Sequence, residues 1–483
     1  MKNVKQKYIL PIVWTAVILS AVIVITLCSK CSPLYALNDW DDPNCFFTVG
    51  KAVVHDMVLY RDIFEQKGPI LYFIHSFAYL ISEKSFLGVY FLELISAAVF
   101  LLFSYKTVSL FCRERAVLCI PLTAAAVFGS YAFQGGDSAE EFILPFGAYC
   151  IYTALSAVTE NRKLKFTESL VIGFSIGMAL WIKFTLMGIF IGFVLAFIIL
   201  YIQKKQIKDI FLTALYMITG LIICSAPVII YCAVTNSFDS MYEVYFYDNL
   251  FLYGTGGGIP FISNMINLFI GVGALFQNHP FALIFAVSGI IHIIKMKNKQ
   301  LSLVYMIILA AAFIFTYAGG RYYAYYSLII SLFIPVGEIG LITLKPKQKK
   351  IFAYLTYILV ICAGIIFCPN FSRLGKQKSD YPQFRFNEHI SKKENATLLN
   401  YNFLDGGFYT VSGIVPNCRF FCGLNLPYDE IGNVQKRYVD SGMVDFIITK
   451  DEKPVFPLYE CIDECEFPYG NSVSKYYLYA ISN

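Results

Sequence analysis

The chain has 483 residues, of which 57% are hydrophobic and only 15% charged, and its mean hydropathy is +0.61. That balance excludes an ordinary soluble domain and points to an integral membrane protein. A net charge of +5 would suit nucleic acid only as one basic patch, whereas here the basic residues fall in short clusters between apolar runs, so they set membrane orientation and no nucleic-acid partner is expected.

The first apolar run, Tyr8 to Cys28, contains no charged residue and follows Lys2, Lys5 and Lys7. It is longer than the h-region of a signal peptide and lacks a small-residue cleavage site, so it is expected to stay as a first span with a cytoplasmic amino end. The segment Asn38 to Phe73 then emerges on the outer face with Asp39, Asp41 and Asp42, followed by Arg61 and Lys67. After the acidic segment comes Ile70 to Ile81, which carries His75, is too short to cross and is expected at the outer interface.

The second span, Phe86 to Tyr105, returns to Lys106, Arg113 and Arg115. The third, Ala116 to Phe133, delivers a second acidic loop with Asp137, Glu140 and Glu141 to the outer face. The fourth, Phe142 to Val158, comes back to Arg162, Lys163 and Lys165, and the fifth, Ser169 to Thr185, carries Lys183 at its outer end. A charge at that depth is costly unless paired or used. The sixth returns to Lys204, Lys205 and Lys208; the seventh, Ile210 to Val234, leads to a loop whose Gly254, Gly256, Gly257 and Gly258 read as flexible.

Charge parity decides the next two apolar runs. With Phe261 to Phe276 interfacial or re-entrant and Phe281 to Ile294 as the eighth span, Lys295, Lys297 and Lys299 stay in the cytoplasm. The ninth, Leu301 to Ala318, puts GGRYYAYY outside with Arg321 and Tyr325; the tenth ends at Lys345, Lys347, Lys349 and Lys350; the eleventh, Ile351 to Phe367, leaves the rest of the chain outside.

Beyond about Pro369 charges are interspersed, and strand-like ATLLNYN, VDFIITK and YYLYAIS accompany a helical YDEIGNVQKRYVDSG. The expected fold is therefore mainly α, a polytopic membrane domain over residues 1–368 with about eleven transmembrane helices, and a small extracytoplasmic α/β domain over 369–483. That domain holds no Gly-rich phosphate loop, HExxH or GxSxG and reads as a lid or scaffold. Its Cys418, Cys422, Cys461 and Cys465 form two C-x3-C pairs, for which disulfides are favoured over zinc in an extracytoplasmic setting.

Two acidic loops and the cations Arg61, Lys67, Lys183 and Arg321 thus share the outer side. An enzyme acting on a lipid phosphate needs such parts, because cations stabilise the departing phosphate while a carboxylate accepts the proton of an attacking hydroxyl.

The segment from Asp42 through Phe46 and GKAVVHD to VLYRDIFEQKGPILYF resembles the first outer loop of GT-C glycosyltransferases, the superfamily of protein O-mannosyltransferases and lipid A aminoarabinose transferases. QGGDSAEEFILP resembles the second-loop motif, GMALWIKFT the fifth-span motif ending in a basic residue, and GGRYYAYY the late outer motif. The resemblance implies a GT-C-like fold and an enzyme that transfers a hexosyl or pentosyl group from a polyprenyl-phosphate sugar to a lipid, glycan or protein acceptor of the cell envelope, amid membrane lipids. It makes Asp42 the catalytic base; beside it, the candidates from the outer-face charges are Glu140 or Glu141 to position the acceptor or support the base, and Arg61, Lys67, Lys183 and Arg321, with Tyr325, to bind substrate. Tyr325 stands where relatives often have His, and Asp42-Pro43 where some have Asp-Glu, which weakens a paired-acid metal site. No cofactor or metal ligand is therefore assigned, with a divalent metal left open. The rival reading is a polytopic transporter or lipid-linked glycan flippase, against which count the gathering of charges at one face and the lack of an evident repeat.

Overall fold

In the computed structural model, residues 2–252, 260–343, 347–424, 428–469 and 472–482 are described, and the chain divides into two compact units. The first comprises Met1–Ser29, Phe91–Pro227 and Gly257–Ser372; the second comprises Lys30–Tyr90, Val228–Gly256 and Arg373–Asn483. Gly254, Gly256, Gly257 and Gly258 lie outside the described residues.

The chain opens with nine helices: α1 (Lys2–Cys28), α2 (Asp41–Val54), α3 (Pro69–Ile81), α4 (Leu87–Ser109), α5 (Cys119–Phe128), α6 (Ala139–Thr159), α7 (Phe166–Lys183), α8 (Gly188–Gln203) and α9 (Ile207–Thr235). Among the described residues seven helical segments are long and apolar enough to cross a membrane, or eight if Ser263–Asn278 and Pro280–Lys295, bent by 115°, are one broken span. The expected eleven are all helical, but not all reach spanning length. Ala116–Phe128 and Tyr357–Arg373 are apolar yet short, and α7 with α8 forms one 38-residue run. As a straight helix that run would measure roughly 57 Å, nearly twice the hydrocarbon core. Its backbone is extended at Lys183 (φ −163°, ψ 100°), which divides it where the charge pattern ends the fifth span.

Small residues set the packing in the first unit. A Cβ on Gly173 of α7 would lie 1.9 Å from the Met217 carbonyl oxygen, and one on Gly220 of α9 would lie 2.0 Å from that of Leu170, so these helices touch backbone to backbone. Elsewhere α9 exposes Phe211, Leu215, Ile222 and Ile230, a face that only a bilayer or another apolar surface can cover.

The second unit contains a four-stranded sheet in the order β1-β2-β4-β3, built from β1 (Leu398–Asn400), β2 (Phe446–Lys450), β3 (Tyr459–Tyr469) and β4 (Ser472–Ile481). β1 runs parallel to β2 with Leu399 opposite Ile447, and helix Asp429–Asp440 falls between them in sequence. β4 is antiparallel to both β2 and β3, placing Ile448 opposite Leu478 and Phe467 opposite Ser474. The three strand-like runs and the helix occur where the sequence predicts them. β3 was not legible, because acids at Glu460, Asp463, Glu464 and Glu466 interrupt its apolar pattern, as suits an edge strand.

The expected disulfides do not occur: all fourteen cysteines are thiols. Cys461 and Cys465 lie four apart on β3, which separates their Cα atoms by about 13 Å, and a disulfide needs roughly 4.4–6.8 Å. Cys422 instead contacts Cys45 of α2. No group of three or more metal-ligating side chains occurs among the described residues.

Candidate active site

In the first unit, α6 begins at Ser138, whose side chain accepts a hydrogen bond from the Glu141 amide at 3.1 Å. The cap fixes the first turn, which carries Glu140 and Glu141, and the two acids part there. Glu141 turns back on its own loop, its Oε2 accepting from the Asp137 amide at 2.8 Å. Glu140, only 1% exposed, accepts from the Lys183 ammonium at 2.6 Å. That ammonium also lies over the Tyr326 ring, 4.0 Å from its centroid, and 5.1 Å from that of Tyr325. The break at Lys183 is what lets the side chain leave the helix end toward this cage. Tyr325 stacks on Tyr323 at 5.7 Å, and Arg321 is half-buried just before them. Behind Glu141, Glu93 receives the Ser29 hydroxyl at 2.8 and 2.9 Å.

In the second unit, the three acids of the first outer loop have three different environments. Asp39 is buried, which alone would raise its pKa, but Lys30 and Arg373 outweigh burial and hold the carboxyl below the usual range; Arg373 Nε is 2.7 Å away. Asp39 is thus a structural anchor. Asp41 and Asp42 open α2, where the positive end of the helix dipole favours an anion. Burial pushes Asp41 up to about 7, Lys450 opposing and its acidic neighbours Asp42, Asp405 and Asp39 adding to the rise.

Asp42 and Phe46 are four residues apart on α2 and share a face. The Lys67 ammonium stands over the Phe46 ring, 5.4 Å from its centroid, so Lys67 and Asp42 lie along one side of the helix. Lys67 also pairs with Glu65 at 3.4 Å, while its backbone amide donates to the Tyr72 hydroxyl at 2.9 Å. Arg61 is exposed and turned elsewhere, donating to Asp62 at 2.9 and 3.0 Å and to the Thr235 carbonyl at 3.0 Å.

The structure therefore brings Glu140, Lys183 and Tyr325 together in one unit and sets Lys67 over the Phe46 ring in the other, while Arg61 is held by a local ion pair. Sequence reasoning missed Lys30, Arg373 and Tyr326. Tyr326 was within reach as a member of the quoted GGRYYAYY motif; Arg373 had no signal, because its partner Asp39 lies more than three hundred residues away.

Residues 66–231 match the family model described as dolichyl-phosphate-mannose-protein mannosyltransferase. The matched stretch includes Lys67, Glu140, Glu141 and Lys183 and begins after Asp42. No curated protein matches the chain. Among solved structures, the crystal structure of ArnT from Cupriavidus metallidurans bound to undecaprenyl phosphate is similar in fold, with a TM-score of 0.61 at 9% identity over 90% of this chain and 92% of that one. The same enzyme in the apo state gives a TM-score of 0.56 at 10% identity over 90% and 92%. Over residues 66–231, about a third of its length, the chain is thus similar to the dolichyl-phosphate-mannose-protein mannosyltransferase family model, and its fold is similar to that of ArnT.

Proposed function

We propose that this membrane glycosyltransferase takes one sugar from a polyprenyl-phosphate carrier and passes it to a hydroxyl-bearing acceptor of the cell envelope on the outer face. The observation that carries the donor class is the fold likeness, across nine-tenths of both chains, to an enzyme crystallised with undecaprenyl phosphate. Residues 1–368 would hold the transfer site and 369–483 the outer domain.

The reaction is a single displacement. The acceptor oxygen attacks the anomeric carbon, its proton passes to Asp42, and the bond from that carbon to the phosphate oxygen breaks with inversion. The departing polyprenyl phosphate is already an anion, so no general acid is required. Lys67 stabilises it from the Asp42 side of α2, and Arg321 is kept from the late outer motif as a separate candidate. Arg61 contributes less, because Asp62 already occupies its guanidinium. In this reading the Glu140–Lys183 pair with Tyr325 shapes the substrate site rather than supplying a bare cation, and Glu141 holds the second loop.

Incubation of the purified full-length protein with labelled polyprenyl-phosphate sugars and envelope acceptors tests the reading. Transfer of label with release of polyprenyl phosphate supports it; movement of intact lipid-linked sugar across vesicles with no covalent product would support a flippase instead.

A further inference from the structure

One side of α2 is bound to the chain near residue 400 by a set of buried polar contacts. Asn44, Thr48 and Lys51 recur at helical spacing and are each fully buried. The Thr48 hydroxyl donates to Asp405 Oδ2 at 2.6 Å. The Thr410 hydroxyl donates to Asn44 Oδ1 at 2.8 Å, and the Lys51 ammonium to the Tyr409 carbonyl at 2.7 Å. Asp405 is itself fixed, because its Oδ1 accepts from Asn400 at 3.1 Å and from the Gly407 amide at 3.0 Å. Gly407 makes that turn at φ +93°, and a Cβ there would stand 3.0 Å from Asn44 Oδ1, so only glycine fits easily between Asp405 and the helix.

At 100° per residue, Asp42 and Phe46 fall on the side of α2 turned away from Thr48. Whatever fixes the helix's rotation at Thr48 therefore fixes where Asp42 points. A buried hydroxyl–carboxylate bond holds only over a narrow range of distance and angle, so the Thr48–Asp405 bond constrains that rotation closely. The segment that contributes Asp405 lies in the part of the chain that reads from sequence as a lid.

We propose that Asp405 is a positioning residue: through Thr48 it sets the rotation of α2 and thereby aims Asp42 at the acceptor. This rests on the reading of Asp42 as the base. Misplacing a reacting group by about 1 Å costs on the order of a hundredfold in rate.

Truncating Asp405 would leave several buried partners unsatisfied, so the test uses Thr48 in the full-length protein. Thr48→Val removes the donor at nearly constant shape, and Thr48→Ser retains it. Two measurements are made: amide hydrogen exchange of residues 41–54, and kcat and KM for a labelled polyprenyl-phosphate sugar, normalised to folded protein. The expected result is faster exchange in 41–54 and a fall in kcat of about ten- to a hundredfold in Thr48→Val, with donor KM within about twofold and with Thr48→Ser close to the parent. Unchanged exchange in Thr48→Val overturns the proposal, as does a kcat per folded molecule equal to that of the parent. If Asp42→Asn is inactive while Thr48→Val is fully active, positioning fails and the base assignment stands. If Asp42→Asn is active, the base assignment itself fails.

Discussion

Lys183 and Glu140 lie 43 residues apart in the chain and meet at 2.6 Å, with the ammonium over the ring of Tyr326. Each group is nearly excluded from solvent, so either charge alone would be stranded in an apolar surround.

Lys183→Ala should therefore destabilise the protein by about 3–5 kcal/mol, the usual cost of leaving one partner of a buried ion pair uncompensated. Replacing both, as Lys183→Met with Glu140→Leu, should recover most of that loss. Thermal unfolding in detergent reads the comparison; equal stability of the single and double variants would show that the pair is not coupled.

Lys67→Ala and Arg321→Ala should weaken use of the lipid donor. Loss of a charge-assisted hydrogen bond in a partly dehydrated site costs about 1.5–3 kcal/mol, or roughly ten- to a hundredfold in kcat/KM. Arg61→Ala serves as the comparison and should lose much less, since its guanidinium is spent on Asp62 and the Thr235 carbonyl. Donor titrations that leave kcat/KM unchanged in both main variants would place the phosphate elsewhere.

Asp41 gives a pH dependence of defined sign. Its carboxyl is raised from 3.8 to about 7 in the folded state, chiefly by burial. Between about pH 4 and 7 the folded protein thus holds more protons than the unfolded chain, and stability falls as pH rises through that window. Asp41→Asn should flatten that part of the profile without introducing a slope of its own. Unfolding measured at a series of pH values for both proteins tests this, and parallel profiles would rule it out.

Topology is a fourth test. Charge parity across the spans predicts Lys297 in the cytoplasm and Lys475 outside, with Ser263–Asn278 and Pro280–Lys295, bent by 115°, together making one broken span or a re-entrant loop. Cysteines introduced at positions 297 and 475, each in a cysteine-depleted background, should be protected and labelled respectively by an impermeant thiol reagent in intact cells. The reverse pattern at either position means that the spans are miscounted.

The sequence carried the helical segments well because apolar length and flanking lysines are local signals. It carried the span count less well, because whether Ala116–Phe128 crosses depends on tilt and neighbours that no run of letters records. The strands at Leu398–Asn400, Phe446–Lys450 and Ser472–Ile481 were legible as apolar runs, whereas β3 was hidden by its acids. Of the proposed site, the first-loop motif marks Asp42 and Lys67 as candidates. The Asp39 anchor to Arg373 and the Thr48 bond to Asp405 were invisible, since each joins residues more than three hundred positions apart with no periodicity to betray them.

The most direct test is Asp42→Asn in the labelled polyprenyl-phosphate sugar assay, beside the parent and Asp41→Asn. Asn keeps the size of the side chain but cannot take a proton, so the account predicts a rate loss of about 10² to 10⁴ with unchanged folding and donor affinity. Asp41→Asn should stay within a few-fold of the parent. An Asp42→Asn protein that transfers sugar at the parental rate, or a loss that Asp41→Asn matches, would contradict it.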